Sequence, residues 1–268
     1  MVVRTWNVFH GNAKRSERRA FLKEMVQLVT SDSPDVVCLQ EVPVWALAEL
    51  GAWSGMQAFG AVAARPSIGP LPSTAAIGRA LTIHHGLLRS AFTGQANAVL
   101  VSPHLRAVEQ PSIVLNSRRF RRAQARWLGL GLVARLAWAK ERRVCQAVRV
   151  VRDGGTLLVA NLHATSFERD ERLADAELLR AAAFVDGLAA PGEPILLCGD
   201  FNVEAARSRT LADLCGPEWG FAGPGPGIDH ILVRGVKASA PRTWSDDRRT
   251  LDGRLLSDHA PLEVELYE

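Results

Sequence analysis

Two polar side chains that could bind a cation or activate water follow a strongly apolar run near residue 200. Residues 194–198 form the run, and Gly199, Asp200 and Asn202 follow it closely. So apolar a run predicts a strand buried on both faces, and Gly199 permits a bend or a close backbone approach at its end. Because an unpaired carboxylate is costly to bury there, we expect a cation, a ligand or a hydrogen-bonding network to meet Asp200.

Other polar side chains stand at the ends of similar apolar runs, from the first predicted strand to the last. They are Asn7, Glu41, His163, Asp229, Asp258 and His259. The carboxylates of Glu41 and Asp258 offer the hard oxygen ligands that Mg²⁺ or Mn²⁺ prefers. Such a cation polarises a phosphoryl oxygen and neutralises the charge that develops on it.

The remaining candidates suit proton transfer at a phosphate. His163 and His259 could donate protons or hydrogen bonds to a phosphoryl oxygen, and Asp200 with Asn202 could align and activate water. Taken singly, each side chain also has an ordinary structural interpretation, such as a turn acid or a locally bonded histidine. A single active site built from all of them requires residues 1–268 to fold as one domain.

The pattern of apolar residues predicts the elements that would position these side chains. Helices are predicted at 16–30, 45–53, 170–189 and 208–214. Strands are predicted at 1–7, 36–39, 97–102, 112–115, 144–151, 156–162, 194–198, 231–233 and 262–266. The strands at 97–102 and 112–115 are interpreted as a hairpin, the strand at 144–151 as half-exposed near a sheet edge, and 60–78 as a loop. Irregular alternation of helices and strands favours mixed sheets with outer helices.

Composition is typical of one large α/β domain. The chain has 268 residues, of which 47% are hydrophobic, so it can bury a sizeable core. Its apolar runs stay well short of the roughly 18 residues of a membrane span, so we expect a cytoplasmic protein without stable membrane insertion. Three of the four cysteines, Cys38, Cys145 and Cys198, lie inside apolar runs and are predicted to be buried thiols.

The positive charge is concentrated in one segment. Residues 118–143 hold eight arginines and one lysine against a single acid, a net charge of +8, whereas the whole chain carries +4. The arginines predicted to bind substrate lie beside Phe120 and Trp127; they are Arg118, Arg119, Arg121, Arg122 and Arg126. Such a cluster suits nucleic-acid phosphates with base stacking, and it attracts an anionic lipid headgroup equally well. A solvated helix face is the structural alternative.

Six short motifs together resemble the ordered motif set of the endonuclease/exonuclease/phosphatase superfamily. They are Trp6-Asn7, Leu39-Gln40-Glu41, Asn161-Leu162-His163, Gly199-Asp200-Phe201-Asn202, Ile228-Asp229-His230 and Ser257-Asp258-His259. The resemblance extends from residue 5 to residue 266. It implies an α/β fold, a four-layer α/β/β/α sandwich of two packed mixed β-sheets with outer helices, as in deoxyribonucleases. It also implies a site for Mg²⁺ or Mn²⁺ at one end of the sandwich.

The resemblance further implies a role for each matched position. Glu41 resembles the principal metal ligand, Asp258 a second metal-site acid, and Asn7 and Asn202 the residues that hold metal or phosphate. Asp200 resembles the residue that orients or deprotonates the attacking water. His259 resembles the histidine that contacts the scissile phosphate, with Asp229 orienting it. His163 occupies the position where the abasic-site repair branch carries tyrosine, which favours the branch of pancreatic-type deoxyribonucleases and sphingomyelinases.

These observations lead to three hypotheses. The first is a Mg²⁺- or Mn²⁺-dependent phosphodiester hydrolase that acts on DNA as a deoxyribonuclease-like endonuclease or exonuclease. The second keeps the site but changes the substrate to a phospholipid, an inositol phosphate or another small phosphoester. The third is a catalytically inactive nucleic-acid-binding module on the same fold.

Overall fold

The structure, a computed structural model, describes residues 1–15, 19–68, 71–82, 93–152 and 154–267, and its strands form two main sheets. The strands are β1 (Val2–Asn7), β2 (Val36–Val42), β3 (Gln57–Ala64), β4 (Ser67–Ile68), β5 (Leu71–Pro72), β6 (Gln95–Val101), β7 (Arg106–Val114), β8 (Val144–Arg152), β9 (Gly155–His163), β10 (Ile195–Asp200), β11 (Asp229–Arg234), β12 (Lys237–Ala238), β13 (Arg242–Thr243), β14 (Thr250–Leu251), β15 (Arg254–Leu255) and β16 (Leu262–Tyr267). Sheet one has the order β12-β16-β1-β2-β6-β3, with β13 also paired to β16, and sheet two has the order β11-β10-β9-β8-β7.

Helices lie on the outer face of each sheet. They are α1 (Leu22–Thr30), α2 (Leu50–Ser54), α3 (Ala75–Thr82), α4 (Arg118–Trp127), α5 (Leu132–Lys140), α6 (Arg172–Leu188) and α7 (Arg209–Leu214). Short 3₁₀ turns occur at Phe9–Gly11, Val44–Ala48 and Asp247–Arg249. None of these described helices combines the length and the apolar character needed to cross a bilayer.

Three hydrophobic cores separate four layers, which confirms the predicted α/β/β/α sandwich. One core joins α1 and α2 to sheet one, and another joins α6 and α7 to sheet two. The third lies between the two sheets. Strand β2 shows why its sequence is continuously apolar: Val36 and Cys38 enter the core between the sheets, whereas Val37 and Leu39 face the helices. Such a strand has no face left for water.

Most predicted elements are confirmed, but several predictions from local sequence are wrong. The predicted loop at 60–78 contains most of β3, the short strands β4 and β5, and the start of α3. The predicted hairpin between 97–102 and 112–115 does not exist, because β6 pairs with β2 and β3 in sheet one whereas β7 pairs with β8 in sheet two. Helix α1 begins at Leu22; residues 19–21 precede it without helical structure, and 16–18 lie outside the described residues.

The strand predicted to be half-exposed is mostly buried. Strand β8 pairs with both β7 and β9, and its first five residues are buried because the core between the sheets covers one face and α6 covers the other. Its polar residues Gln146 and Arg149 lie on opposite faces, so the sequence does not alternate between one buried and one exposed face. Cys38, Cys145 and Cys198 are buried free thiols, as predicted, whereas Cys215 is exposed.

A partly buried ion pair next to β10 gives a pH-dependent prediction for stability. Burial alone would raise the pKa of Glu193, but hydrogen bonds from Arg149, Thr156 and the Ala190 amide lower it to about 2. Such a carboxylate stabilises the fold fully above its unfolded pKa near 4.5, and this contribution is lost as pH falls through about 2. Glu193→Gln should therefore lower the free energy of unfolding by about 1–3 kcal/mol at neutral pH.

Urea unfolding of wild type and variant at about pH 7 and about pH 3 measures this effect, with Glu109→Gln on the exposed face of β7 as the matched control. The difference between wild type and Glu193→Gln should shrink at the lower pH. A penalty that stays constant with pH would show that packing, and not the charge of Glu193, is responsible.

Candidate active site

The predicted site residues converge where strands of both sheets end. Asn7 is the last residue of β1, and Glu41 lies near the end of β2, which runs parallel to it. In sheet two, Asp200 ends β10 and lies in register with both His163 of β9 and Asp229 of β11. Asn7 Nδ2 donates to Asp200 Oδ2 at 3.0 Å, so this hydrogen bond is among those that join the two sheets.

A cavity of about 370 Å³ opens at this end of the sandwich. Predicted site residues supply half of its lining: Asn7, Glu41, His163, Asp200, Asn202, Asp258 and His259. The rest of the lining consists of Phe9, Ala137, Lys140, Glu141, Arg143, Thr165 and Ser166. Residues that are far apart in the chain therefore share one cavity.

Glu41 projects into the cavity from an irregularity in β2. The pairing of β2 with β6 shifts register between Leu39 and Val42, and Glu41 has a φ of 56°. A left-handed conformation is costly for a non-glycine residue and is typical of functional sites. Burial, opposed by Arg143 and reinforced by the charges of Asp258 and Asp200, raises the pKa of Glu41 to about 7. This carboxylate is held among others of the same charge.

His259 is held as an imidazolium between two carboxylates. Its Nδ1 lies 2.8 Å from Asp229 Oδ2, and its Nε2 lies 3.7 Å from Asp200 Oδ2. Burial alone would lower the pKa of His259, but the hydrogen bond to Asp229 and the charges of Asp200, Asp229 and Asp258 raise it to about 10. At neutral pH the ring therefore carries a proton on both nitrogens.

Asp200 sits at the centre of a network of donors. Asn7 Nδ2 donates to Asp200 Oδ2, and the backbone N–H of Asn202 donates to Asp200 Oδ1, each at 3.0 Å. Burial and the charge of Asp229 raise the pKa of Asp200 above its ordinary value, although His259 and these donors oppose the rise. Asn202 has a φ of 51° and donates its Nδ2 to the Ala164 carbonyl at 3.0 Å. The carboxyl group is thus fixed in position and tuned towards neutral pH.

Gly199 makes this arrangement possible. It has a φ of 139°, and a Cβ at this position would lie 1.9 Å from the Leu162 carbonyl oxygen. The close backbone approach expected from the sequence is therefore present, one residue before Asp200.

His163 remains neutral and contacts Arg143, a residue of the site that the sequence analysis missed. Its Nδ1 lies 3.0 Å from Gln95 Nε2 and 2.9 Å from Arg143 Nη1. Burial, together with the charges of Arg143 and His259, lowers the pKa of His163 well below its ordinary value. His163 can therefore exchange hydrogen bonds in the cavity but does not carry a positive charge there.

The loop that carries Asp258 and His259 is positioned by a buried arginine. Arg249 Nη1 donates to the carbonyl oxygens of Leu256, Ser257 and His259 at 2.9, 3.0 and 3.0 Å. Trp6 Nε1 also donates to the His259 carbonyl, at 2.9 Å. The last motif of the chain is therefore bound to the first strand.

The arginines predicted to bind substrate do not line this cavity. Arg118, Arg119, Arg121, Arg122 and Arg126 all lie on α4, and four of them line a separate groove between α4 and α5. Besides His259, the cavity wall contains the basic residues Lys140 and Arg143, and His10 Nε2 lies 3.3 Å from Glu41 Oε2. Arg143 could have been identified as a site residue from its position in the sequence. It directly precedes β8, and because β8 runs antiparallel to β9, the start of β8 lies beside the end of β9.

The donor set of the cavity fits a hard divalent cation. Glu41 and Asp258 present carboxylate oxygens, and burial, with the charges of Asp258 and Asp200, raises the pKa of Glu41, which a cation beside it would lower. Ligand atoms of Asp200, Asp229 and His259 also lie within 4.8 Å of one another. In that group the Nδ1 of His259 is already engaged with Asp229 Oδ2 at 2.8 Å. The oxygen donors around Glu41 are therefore the better candidates.

Comparison with solved structures shows the same fold in proteins of low sequence identity. A functionally unknown conserved protein from Enterococcus faecalis matches with a TM-score of 0.65 and 19% identity, covering 100% of this chain and 99% of that chain. A mannosyl-6-phosphatase from Bacteroides thetaiotaomicron matches with a TM-score of 0.65, 17% identity and 100% coverage of both chains. A humanized TDP2 from D. rerio matches with a TM-score of 0.64 and 16% identity, covering 100% and 99%.

Sequence comparison identifies the family. A search of curated proteins returned no significant match. A family model described as the endonuclease/exonuclease/phosphatase family matches residues 5–259, a range that includes every predicted site residue. Members of this family are generally metal-dependent phosphoesterases. The chain therefore belongs to the endonuclease/exonuclease/phosphatase family.

Proposed function

We propose that this chain is a divalent-metal-dependent phosphodiester hydrolase. The observation that carries the proposal is the pairing of a cationic His259, held by Asp229, with the buried carboxyl group of Asp200 in one cavity. These two groups supply a hydrogen-bond donor for a phosphoryl oxygen and an acceptor for a proton of water. Hydrolysis of a phosphoester needs both.

In this proposal Glu41, Asp258 and Asn7 hold Mg²⁺ or Mn²⁺ through their side-chain oxygens. When bound, the cation polarises a phosphoryl oxygen and neutralises charge that develops on it. Asn7 has a second task, since its Nδ2 donates to Asp200 while its Oδ1 accepts from the Phe9 amide. These hydrogen bonds hold its side chain at the floor of the cavity.

The residues around Asp200 then position and activate water. The raised pKa of Asp200 makes it a better proton acceptor than an exposed aspartate. The backbone N–H of Asn202 donates to Oδ1 of Asp200. The other oxygen of this carboxyl group, Oδ2, faces Asn7, His163 and His259. We assign Asp200 the role of general base and Asn202 the role of fixing its orientation.

Positive groups surround the position of the phosphate. His259 donates from Nε2, and Arg143, with only 6% of its surface exposed, contributes a buried guanidinium whose Nε has no hydrogen-bond partner among the described residues. Charge that builds on the phosphoryl oxygens is stabilised most strongly by donors already fixed in place. Arg143 is fixed by Glu141 and His163 at 2.7 and 2.9 Å.

DNA is the first substrate candidate. The arginines of α4 lie on the helical hairpin whose second helix, α5, contributes Ala137 and Lys140 to the cavity wall. A phosphodiester polymer cleaved in the cavity could place neighbouring phosphates on those arginines. The argument for DNA is therefore one of charge.

A phospholipid headgroup, or another small phosphoester such as an inositol phosphate, is the second candidate. Exposed apolar side chains on the same hairpin favour the phospholipid, because they contribute nothing to binding a nucleic-acid phosphate backbone. The mannosyl-6-phosphatase with the same fold is named for a small phosphoester substrate.

A substrate panel tests the proposal. With Mn²⁺ or Mg²⁺, the protein should hydrolyse at least one of plasmid DNA, linear or single-stranded DNA, RNA, sphingomyelin and inositol phosphates, and a chelator should lower the rate by at least about 100-fold. Activity that persists in chelator would contradict the metal role. Tight nucleic-acid binding without turnover on any substrate would instead indicate a catalytically inactive binding module.

Salt dependence distinguishes the two substrate classes. If five arginines of α4 contact DNA phosphates, affinity should fall on the order of a few hundredfold between about 50 and 200 mM salt. Hydrolysis of a small soluble phosphoester should change far less over the same range.

A further inference from the structure

We propose that the hairpin formed by α4 and α5 is a docking surface for an anionic lipid bilayer. This surface, here called the hairpin tip, consists of Trp127, Leu132, Val133 and Leu136 together with the arginines of α4. The inference rests on the proposed hydrolase function and narrows its substrate to a phosphoester that lies at a membrane surface.

The apolar part of the hairpin tip is unusually exposed. Trp127, Leu132, Val133 and Leu136 are 81%, 72%, 62% and 62% exposed. Trp127 ends α4 and Leu132 begins α5, so the short turn between the helices places both at the same end of the hairpin. Val133 follows Leu132 directly, and Leu136 lies one turn further along α5. Leu132, Val133 and Leu136 therefore lie close together on the exposed side of α5, with Trp127 at the same end of the hairpin, and these four side chains are called the apolar patch.

The hairpin does not need this patch in order to fold. Its inner face has a separate core in which Ala125, Leu130, Ala134 and Trp138 pack against Leu173 of α6. Trp138 Nε1 also donates to the fully buried Glu177 of α6, at 2.6 Å. The exposed apolar residues are not part of this core.

The polar part of the hairpin tip suits anionic headgroups. A groove of about 520 Å³ between α4 and α5 is lined by five arginines: Arg118, Arg121, Arg122, Arg126 and Arg135. The ion pairs of the described residues include none of the arginines of α4, whereas the nearby Arg143 pairs with Glu141. Guanidinium groups bind phosphate oxygens in a bidentate geometry, so the groove offers several such sites on the same hairpin as the apolar patch. Its other lining residues, Ala125 and Trp138, belong to the inner core.

Charge and apolarity together favour a bilayer over two other occupants. A second copy of this chain would bring two sets of unpaired arginines together, with like charges opposed. Nucleic acid would satisfy the arginines but would leave Leu132, Val133 and Leu136 in water. An anionic bilayer satisfies both groups, because the arginines meet headgroups and the apolar side chains enter the acyl boundary.

The geometry also connects the hairpin tip to the active site. Ala137, which lines the catalytic cavity, follows Leu132 by about 8 Å along the axis of α5. A hairpin tip inserted at the headgroup level would hold the mouth of the cavity near that level. A phosphoester carried by a lipid headgroup is therefore the substrate class that this docking would present.

Vesicle binding tests the docking independently of catalysis. The 268-residue chain is sedimented in chelator with vesicles of phosphatidylcholine alone, or with about one third phosphatidylserine. The wild type should bind the anionic vesicles at least about tenfold more tightly than the neutral ones. The triple variant Leu132→Ser, Val133→Ser, Leu136→Ser and the double variant Arg121→Gln, Arg122→Gln should each lose at least about tenfold in affinity for anionic vesicles.

The matched control is Tyr267→Ser, which removes an exposed aromatic side chain from sheet one and should bind as wild type does. All changed side chains except Arg121 are exposed, and thermal unfolding checks that each variant is folded. Equal vesicle binding by wild type and triple variant would overturn the proposal. So would binding of DNA without binding of vesicles, or self-association that the triple variant abolishes.

Vesicle binding is measured in chelator and so does not depend on a metal. If vesicle binding is intact but no substrate of the panel is hydrolysed, only the catalytic proposal is rejected. Hydrolysis of soluble substrates without vesicle binding would reject only the docking surface.

Discussion

Replacement of His259 by alanine is expected to lower kcat for phosphodiester hydrolysis by about 10³-fold with little change in stability. The ring is fixed by the 2.8 Å hydrogen bond from Nδ1 to Asp229, so its Nε2 proton is available to the cavity. Charge on the phosphoryl oxygens grows mainly in the transition state, which the imidazolium stabilises more than it stabilises bound substrate. Steady-state kinetics should therefore show a loss in kcat that exceeds any change in KM.

Two comparisons isolate the role of His259. His104→Ala removes a histidine that hydrogen bonds Ser102 and Asp35 at the surface, and it should leave kcat unchanged. Asp229→Asn keeps the ring but removes the charge that holds its proton, so an intermediate loss is expected. If His259→Ala retains activity within about tenfold of wild type, a phosphoryl contact in the transition state is excluded as its main role.

The sequence predicts the buried strands well because their physical requirements are local. In β2 and β10, every residue before the polar end must be apolar, since both faces lie in hydrophobic cores. The convergence of Glu41, Asp200 and His259 follows from where strands end, which the order of the motifs already indicates. The structure places them in one cavity, as the sequence analysis required.

Strand β3 could not be predicted in the same way. Its sequence, Gln57–Ala64, consists largely of alanine and glycine, which have low β-propensity. It becomes a strand because it pairs along its length with β6, a contact between segments about 40 residues apart that no local pattern reports. The interpretation of β6 and β7 as a hairpin failed for the related reason that the chain passes from one sheet to the other between them.

The arginine-rich segment shows a further limit of the sequence. Gly129 and Gly131 interrupt the helical pattern because they lie in the turn between α4 and α5. Composition identified the charge of this segment, but it did not separate Arg143, which lines the cavity, from the arginines of α4, which line a separate groove. The roles assigned to individual site residues stay predictions, which the variants described here test.

Replacement of Glu41 by glutamine is expected to lower kcat/KM by about 10³-fold, corresponding to about 4 kcal/mol of transition-state stabilisation. Glutamine preserves the size of the side chain and one oxygen, but it removes the charge that a divalent cation requires. Affinity for Mn²⁺, measured by calorimetry, should fall in parallel. In chelator the variant should be at least as stable as wild type, because a carboxylate crowded by Asp200 and Asp258 is replaced by a neutral amide.

The combination of lost activity with unchanged or increased stability separates a ligand from a structural residue. Glu41 adopts a left-handed backbone conformation in an irregular part of β2, and its carboxyl group lies among other acids, so the fold itself gains little from it. Glu109→Gln, at an exposed position of β7, is the matched control and should change neither Mn²⁺ affinity nor turnover. If Glu41→Gln binds Mn²⁺ as tightly as wild type, Glu41 is not the principal metal ligand, and the cation site must be sought among the remaining acids of the cavity.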